Sequence, residues 1–330
     1  MSLMKMTALT LFALVAMTLQ SSSSVMAASE IALEKQSETL VFTVDGKPFT
    51  TFHFGNSLPK PYFSPLVAAP DANHPGVDTQ VTRKIVADPS KLDKAAKKNY
   101  DHLHHKGAWV ALDEINKIKF WVEKGRILNQ SLTVDSASES AVQFTVVNHW
   151  FDTPQPAADA APVIIETSTY TLTADRLIKL KLTFTAPETA AHFEDTKEGM
   201  WGVRMADDLR GKAGGVISNS LGDVSEKTCW GKEASWVDYQ GKRDGVALGV
   251  TLFDHPDNPM TSRYHVRGYG LFAINPFGQH AYSNKTLPNR NMTLQPGESI
   301  TFHYGMLIYS GAKTKTELDE VFKAYVACQK

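Results

Sequence analysis

Three of the chain's eleven histidines fall within four residues, in Asp101-His102-Leu103-His104-His105-Lys106-Gly107-Ala108-Trp109. The stretch follows a polar segment and precedes an apolar run, the order expected where a loop feeds a strand. In an extended backbone side chains alternate, so His102 and His104 would share one face and His105 the other. Two imidazoles on one face can move a proton near neutral pH or serve as two ligands of a metal. A loop of solvated histidines would do neither. With Asp101 and Lys106 flanking and Gly107 and Trp109 closing the stretch, the two readings stand level.

A second dense stretch runs from Phe193 through Glu198-Gly199-Met200-Trp201-Gly202-Val203-Arg204 to Asp207. It sets carboxylates and cations around two glycines, which let backbone and ligand approach closely. Carboxylates beside Lys and Arg are the material of tuned acid–base groups. Glu198 and Arg204 are the candidates here, with Arg204 or Lys197 placed to steady an oxyanion. Glu194 and Asp208 read as ordinary surface charge. Asp254-His255-Pro256 ends a strand in a proline-bounded turn, and Asn275-Pro276-Phe277-Gly278-Gln279-His280 is another turn carrying a histidine. Strand-end loops are where all-β scaffolds carry their sites. In Trp230–Tyr239, Lys232, Trp236 and Asp238 can share a side, and exposed Trp or Tyr rings are platforms for sugar rings. Burial of either tryptophan in the core is the plainer reading.

The expected catalytic residues are therefore His102, His104, Lys197, Glu198, Arg204 and His255, with the histidines moving the proton. No cofactor is expected. A divalent metal is the alternative, held first by His102 and His104 and completed by His255, with Glu198 or His280 behind it. Lys106, Lys197 and Arg204 in the same stretches weigh against a dication. There is no Gly-rich nucleotide loop, Gly-x-Ser-x-Gly elbow, His-Glu-x-x-His or Cys-x-x-Cys, which removes nucleotide cofactors and serine-hydrolase chemistry. The formal net charge of −1 gives no reason to expect nucleic acid or an anionic membrane as partner.

The chain opens with Lys5, an apolar run from Met6 to Leu19, a serine tract and Val25-Met26-Ala27. That is the pattern of a signal peptide cut after Ala27, and the run falls short of the about 20 apolar residues a membrane span requires. Residues 28–330 are expected as one exported domain, periplasmic or secreted. Cys229 and Cys328 could pair or stay as two thiols, and neither is preferred.

Segments rich in Val, Ile, Thr and aromatics recur at 31–33, 40–44, 48–54, 60–67, 125–134, 141–150, 164–172, 177–184, 246–253, 263–266, 270–274 and 299–309. Asp45-Gly46 and Ala174-Asp175 read as hairpin turns. The prolines of 60–67 suit an edge strand. Residues 70–99 read as a polar surface insertion with a short Lys-rich helix from Lys91 to Lys98. One helix is clear, Lys315 to Ala327, capped by Thr316 with Asp319 at N3 and presenting Leu318, Val321, Phe322, Tyr325 and Val326 as an apolar face. Many strands, few helices and no βαβ alternation predict an all-β fold, a large antiparallel β-sandwich with one C-terminal helix.

Val81-Thr82-Arg83, the Asp101–Trp109 stretch, Val122–Ile127, Asp195–Gly199, Arg204–Asp207, Asn219-Ser220, Gly231-Lys232, Trp236–Tyr239, Asp254–Pro256, Arg267–Gly270 and Asn275–Phe277 resemble, in order and spacing, an exported bacterial family commonly labelled "methane oxygenase PmoA". The family usually reads Asp-His-Pro-His-His-Arg-Gly where this chain has Leu103 and Lys106; the imidazoles are kept. The resemblance implies a galactose-mutarotase-like supersandwich and carbohydrate chemistry, while the label implies a metal-dependent oxidoreductase. The expected partner is a carbohydrate or other small molecule, contacted by Arg83, His105, Trp236, Asp238, Arg267 and Asn275. A lyase, hydrolase or epimerase is the first expectation and a non-catalytic carbohydrate-binding protein the second.

Overall fold

The computed structural model describes residues 28–86, 88–94 and 100–328. Among them run β1 (Ile31–Lys35), β2 (Thr39–Val44), β3 (Lys47–His53), β4 (Tyr62–Leu66), β5 (Ala108–Leu112), β6 (Glu114–Ile115), β7 (Ile118–Lys119), β8 (Arg126–Ala137), β9 (Ala141–Phe151), β10 (Ile164–Thr173), β11 (Leu177–Thr185), β12 (Ala191–Phe193), β13 (Gly199–Arg204), β14 (Val216–Asn219), β15 (Trp236–Arg243), β16 (Val246–Asp254), β17 (Arg263–Val266), β18 (Leu271–Asn275), β19 (Met292–Leu294) and β20 (Ser299–Ser310). They form an eight-stranded sheet in the order β1-β2-β3-β4-β5-β13-β18-β17, a second of β14-β15-β16-β20-β11-β10-β9-β8, and a small sheet of β19-β12-β6-β7. The pairings are antiparallel throughout, so the expected all-β sandwich is what the chain adopts.

Long strands of the second sheet show why. Burial alternates residue by residue along β9 and β10, the signature of one face on the core and one on water. Phe52 and Phe63 of the first sheet meet Phe144 and Tyr170 of the second, with ring centroids 5.2 Å apart for Phe52–Phe144 and 5.0 Å for Phe63–Tyr170. By contrast β5, β13 and β18 are buried at every position. A strand buried on both faces has a second layer over its outer side, and over these strands that layer is built of histidine, tryptophan and charged side chains.

The C-terminal helix spans Lys315–Ala327 and packs Leu318 and Tyr325 with Val321, Phe322 and Val326 on Trp236, Phe253, Leu307 and Tyr309. Its cap is Thr314 with Glu317 rather than Thr316 with Asp319. Asp319 is taken by Lys315 Nζ at 2.7 Å and by Trp236 Nε1 at 2.9 Å. The strand β4 is not at an edge but lies between β3 and β5; its one proline, Pro65, falls where the ladder to β5 is reduced to Phe63 opposite Ala108. The small third sheet was not foreseen, since strands of two or three residues are too short to carry a period. Cys229 and Cys328 are not bridged; the first is buried and the second exposed. Pro89–Lys91 forms a single 3₁₀ turn capped by Asp88, while the rest of the expected Lys-rich helix and the signal pattern fall largely or wholly outside the described residues. Among those residues no helix is long and apolar enough to cross a membrane.

Candidate active site

Cross-strand register fixes which side chains share the outer face of the first sheet. Gly202 of β13 lies opposite Trp109 of β5 and Ala273 of β18, and Ala273 lies opposite His265 of β17. Opposed residues point to the same side, so Trp109, Arg204, His265 and Asp113 face outward together. A Cβ on Gly202 would sit 2.7 Å from Trp121 and 3.0 Å from Trp109. Gly202→Ala is therefore expected to destabilise the fold by about 1–3 kcal/mol, read as a lower urea midpoint with unchanged slope.

The imidazole stretch is not extended. His102 adopts a left-handed backbone at φ 49°, and His105 N–H closes a turn onto His102 O at 2.9 Å. Strained backbone of this kind is found where the surroundings over-determine it, often at functional sites. The turn ends at Gly107, φ 56°, where a Cβ would lie 1.9 Å from Phe63 O, so only glycine can lead the loop into β5. Instead of alternating, the three rings meet. Tyr269, His102, His105 and Trp109 form a face-to-face column with centroids 5.0, 4.8 and 5.0 Å apart. Trp121 packs below at 4.9 Å from Trp109. His104 stands edge-on to His105 at 4.4 Å.

Charge is arranged around this column. Asp101 Oδ1 receives Arg83 Nη1 at 3.1 Å and Arg204 Nη2 at 2.5 Å, and its Oδ2 lies 3.2 Å from His102 Nδ1. Both guanidinium side chains are buried, whereas His102 is exposed. Desolvation works to raise Asp101, but the charge and hydrogen bond of Arg204, then His102, hold it below its ordinary value. An ionised carboxylate at Nδ1 keeps the proton there and leaves the lone pair on Nε2. On the other flank Lys60 Nζ, almost fully buried, donates to His104 O at 2.9 Å and to Glu123 Oε1 at 2.5 Å. Burial, reinforced by Lys60, pulls His104 down to about 4. Burial and its two neighbouring imidazoles push His105 further down. Both rings are neutral at pH 7.

A carboxyl pair lies beside the column. Asp113 N–H donates to Glu198 O at 3.0 Å. Burial, then the charge of Glu198, raises Asp113 to about 6. The charge of Glu198 also reaches Tyr269 and Tyr282. His265, Trp230 and Tyr282 enclose one another, with His265 held down to about 3 by burial, then by Arg267 and Lys197.

Of the expected residues, His102, His104, His105, Arg83 and Arg204 converge, and Glu198 and Lys197 flank them. Roles shift, however. Arg204 is fully buried with its guanidinium on Asp101, so it positions a carboxylate and does not reach an oxyanion. Arg83 does the same through Asp101 and the carbonyls of Asp101 and His102. His105 is buried within the column and Asn275 is spent on Thr196 O at 2.8 Å. Arg267 sits over the Trp230 ring and pairs with Glu226 at 3.0 Å. Trp236 and Asp238 are corrected as substrate contacts: both are buried on the second sheet, Trp236 beneath the helix and Asp238 under Thr251 and Tyr309 hydroxyls at 2.7 and 2.9 Å. His255 packs instead against His303 and Tyr325, and His280 Nδ1 is turned to Leu287 O. With His255 elsewhere, the proposed ligand set does not assemble, and among the described residues no three His, Cys, Asp or Glu side chains are arranged to hold a metal ion.

Lys60, Asp113, Trp121, Glu123, Tyr269 and His265 had no role assigned from sequence. Glu123 and Tyr269 lie within stretches that carry the family resemblance, where the signal was present. Lys60 and Trp121 carry no local signal. A cavity of about 580 Å³ opens by Asp45, Arg176, Tyr309 and Lys313 and includes none of the residues of the column.

No curated protein matches the chain. In backbone it is similar to galactose 1-epimerase from Lactobacillus acidophilus NCFM (10% identity, TM-score 0.34, 86% of this chain and 99% of the other). It is also similar to a galactose mutarotase related enzyme from Lactobacillus acidophilus (10%, 0.40, 84% and 97%) and to the GH36 α-galactosidase AgaA from Geobacillus stearothermophilus (9%, 0.38, 84% and 40%). Likeness at this level bears on neither substrate nor activity. Residues 39–323 match a family described as "Family of unknown function (DUF6807)", a description that lends the methane-oxygenase label no support, and the chain belongs to that family.

Proposed function

We propose that this chain is an exported carbohydrate-active enzyme that acts on a sugar or oligosaccharide by proton transfer at the Tyr269–His102 end of the column. The observation that carries the reading is the chain Arg83/Arg204–Asp101–His102. Two buried cations fix one carboxylate, and that carboxylate fixes the tautomer and direction of one exposed imidazole. A base oriented by a third group is the arrangement proton-transfer enzymes use. His102 is the base, and Asp113 with Glu198 forms the complementary acid–base pair. Lys197, exposed beside Glu198, is the cation free to meet a developing oxyanion. His104, kept neutral by burial and by Lys60, adds no positive charge beside His102. Tyr269 ends the column with His102 on one side of its ring, an amphipathic ring of the kind that stacks on a sugar's apolar face. Export rests on the N-terminal pattern ending at Ala27. Lyase, hydrolase and epimerase chemistry all use such a set.

A structure soaked with galactose- and glucose-containing oligosaccharides tests the assignment. A sugar ring against Tyr269 with an oxygen within hydrogen-bond reach of His102 Nε2 is expected; a sugar seated only elsewhere on the sheets would refute it.

The carboxyl pair sets a pH dependence. Asp113 is protonated below about 6 and ionised above it, so turnover is expected to fall as pH rises through that value. Its folded value lies above its ordinary one, so its contribution to stability is complete at low pH and is lost as pH rises through about 6. Asp113→Asn should remove this limb from the kcat/KM profile and slow turnover about 10²-fold. The same variant should raise the denaturation midpoint at neutral pH. A variant with wild-type turnover and an unmoved limb would exclude Asp113.

A further inference from the structure

We propose that a cavity around His255, separate from the imidazole column, is a second binding site, for a neutral sugar residue. It is about 400 Å³ and is lined by Leu221, Glu233, Ser235, Asp254, His255 and Phe322 among others, a size that accepts a small ligand. The inference does not depend on the column being catalytic.

His255 is only 4% exposed. Its Nδ1 accepts the Asp257 backbone N–H at 3.2 Å, so in the neutral ring the proton is on Nε2, which is then a donor. That buried Nε2 has no hydrogen-bond partner, a condition that native interiors rarely leave uncompensated. Asp254 beside it is already used: Ser262 N–H donates to Oδ2 at 2.7 Å and Asn258 Nδ2 to Oδ1 at 2.7 Å. It therefore shapes the cavity and does not answer His255. An oxygen brought by a ligand would.

The surrounding chemistry narrows that ligand. Asp254 and Glu233 line the cavity and Asp257 Oδ2 lies 3.9 Å from His255 Nδ1, which disfavours an anion, although Glu233 Oε1 is already paired with Arg263 and Arg290 at 3.0 and 3.5 Å. A metal needs an imidazole lone pair, and the one on Nδ1 is committed to Asp257 N–H. What remains is a neutral hydroxylated molecule, whose oxygen accepts from Nε2–H and whose hydroxyl hydrogen goes to the Glu233 carboxylate. Phe322 of the C-terminal helix and Leu221, 62% exposed, supply an apolar side. A hydroxyl edge opposite an apolar face is the shape of a pyranose.

The test is NMR of protein with labelled histidine and phenylalanine rings, titrated with methyl β-D-galactoside and, separately, methyl β-D-glucoside. Saturable shifts at His255 and Phe322 with at least one sugar are expected, weakened about tenfold by His255→Leu and unaffected by His102→Ala. Because His255 is buried, Leu221→Ser at the exposed rim serves as a second variant; it should fold normally and weaken the same shifts severalfold. Signals of His255 and Phe322 that stay unmoved by both sugars to their solubility limits would overturn the proposal. So would shifts that persist unchanged in both variants.

Discussion

Asp101→Asn is expected to slow turnover by about 10²–10⁴-fold and to destabilise the fold by about 3 kcal/mol. Both effects follow from one carboxylate serving three partners: Arg83 at 3.1 Å, Arg204 at 2.5 Å and His102 at 3.2 Å. An amide keeps the shape but removes the charge, so two buried guanidinium groups lose their counter-ion. Removing one member of a buried pair typically costs about 3–5 kcal/mol, and the partial exposure of Asp101 puts the loss at the lower end. An amide nitrogen can also face His102 Nδ1 and favour the wrong tautomer, which removes the lone pair from Nε2. His102→Ala separates the two consequences. The imidazole is exposed, so this variant should lose turnover to a similar degree while its urea midpoint stays close to wild type. If Asp101→Asn lowered the midpoint but kept full turnover, Asp101 would be structural only.

Lys60→Met is expected to cost about 3 kcal/mol, because it leaves the partly covered Glu123 with only the more distant Lys106, at 4.0 Å, and takes away the donor to His104 O. Burial pulls Lys60 down to about 8, with Glu123 acting the other way. The sign of its pH effect follows. Between about 8 and its ordinary value near 10.5 the unfolded chain holds the proton that the folded chain has released. Stability from this group therefore rises with pH across that window, and Lys60→Met should lack the rise. Adding Glu123→Leu should recover much of the loss, since a buried pair replaced by apolar groups is often close to neutral. Urea denaturation from pH 7 to 10 reads all three. A Lys60→Met midpoint equal to wild type would remove the pair from any role in holding the His104 carbonyl.

The sandwich was legible because β9, β10 and β11 are long enough to display the two-residue period, and the C-terminal helix because its apolar face repeats over thirteen residues. The imidazole cluster was legible as composition. Its geometry was not: an extended reading splits His105 from its neighbours, and only the left-handed turn at His102 brings the rings together. Nor could the role of Asp101 be read, because Arg83 lies 18 residues before it and Arg204 103 residues after. Trp236 and Asp238 alternate like an exposed strand. What buries Trp236 is a helix whose contact, Asp319, lies 83 residues on. The turn at His255 was read correctly, but rigidity of a turn does not fix which cleft it faces.

The most direct measurement on the central claim, an Asp101-oriented His102 acting on a sugar, is ¹H NMR of an oligosaccharide panel incubated with wild-type protein and with His102→Ala. The spectra register cleavage, elimination and epimerisation alike. The expected result is that wild type converts at least one sugar and that His102→Ala converts it at least about 10²-fold more slowly while still binding it. The contrary result is a sugar that binds yet stays unchanged with wild type, which would make the protein a carbohydrate binder, or one converted equally by both proteins.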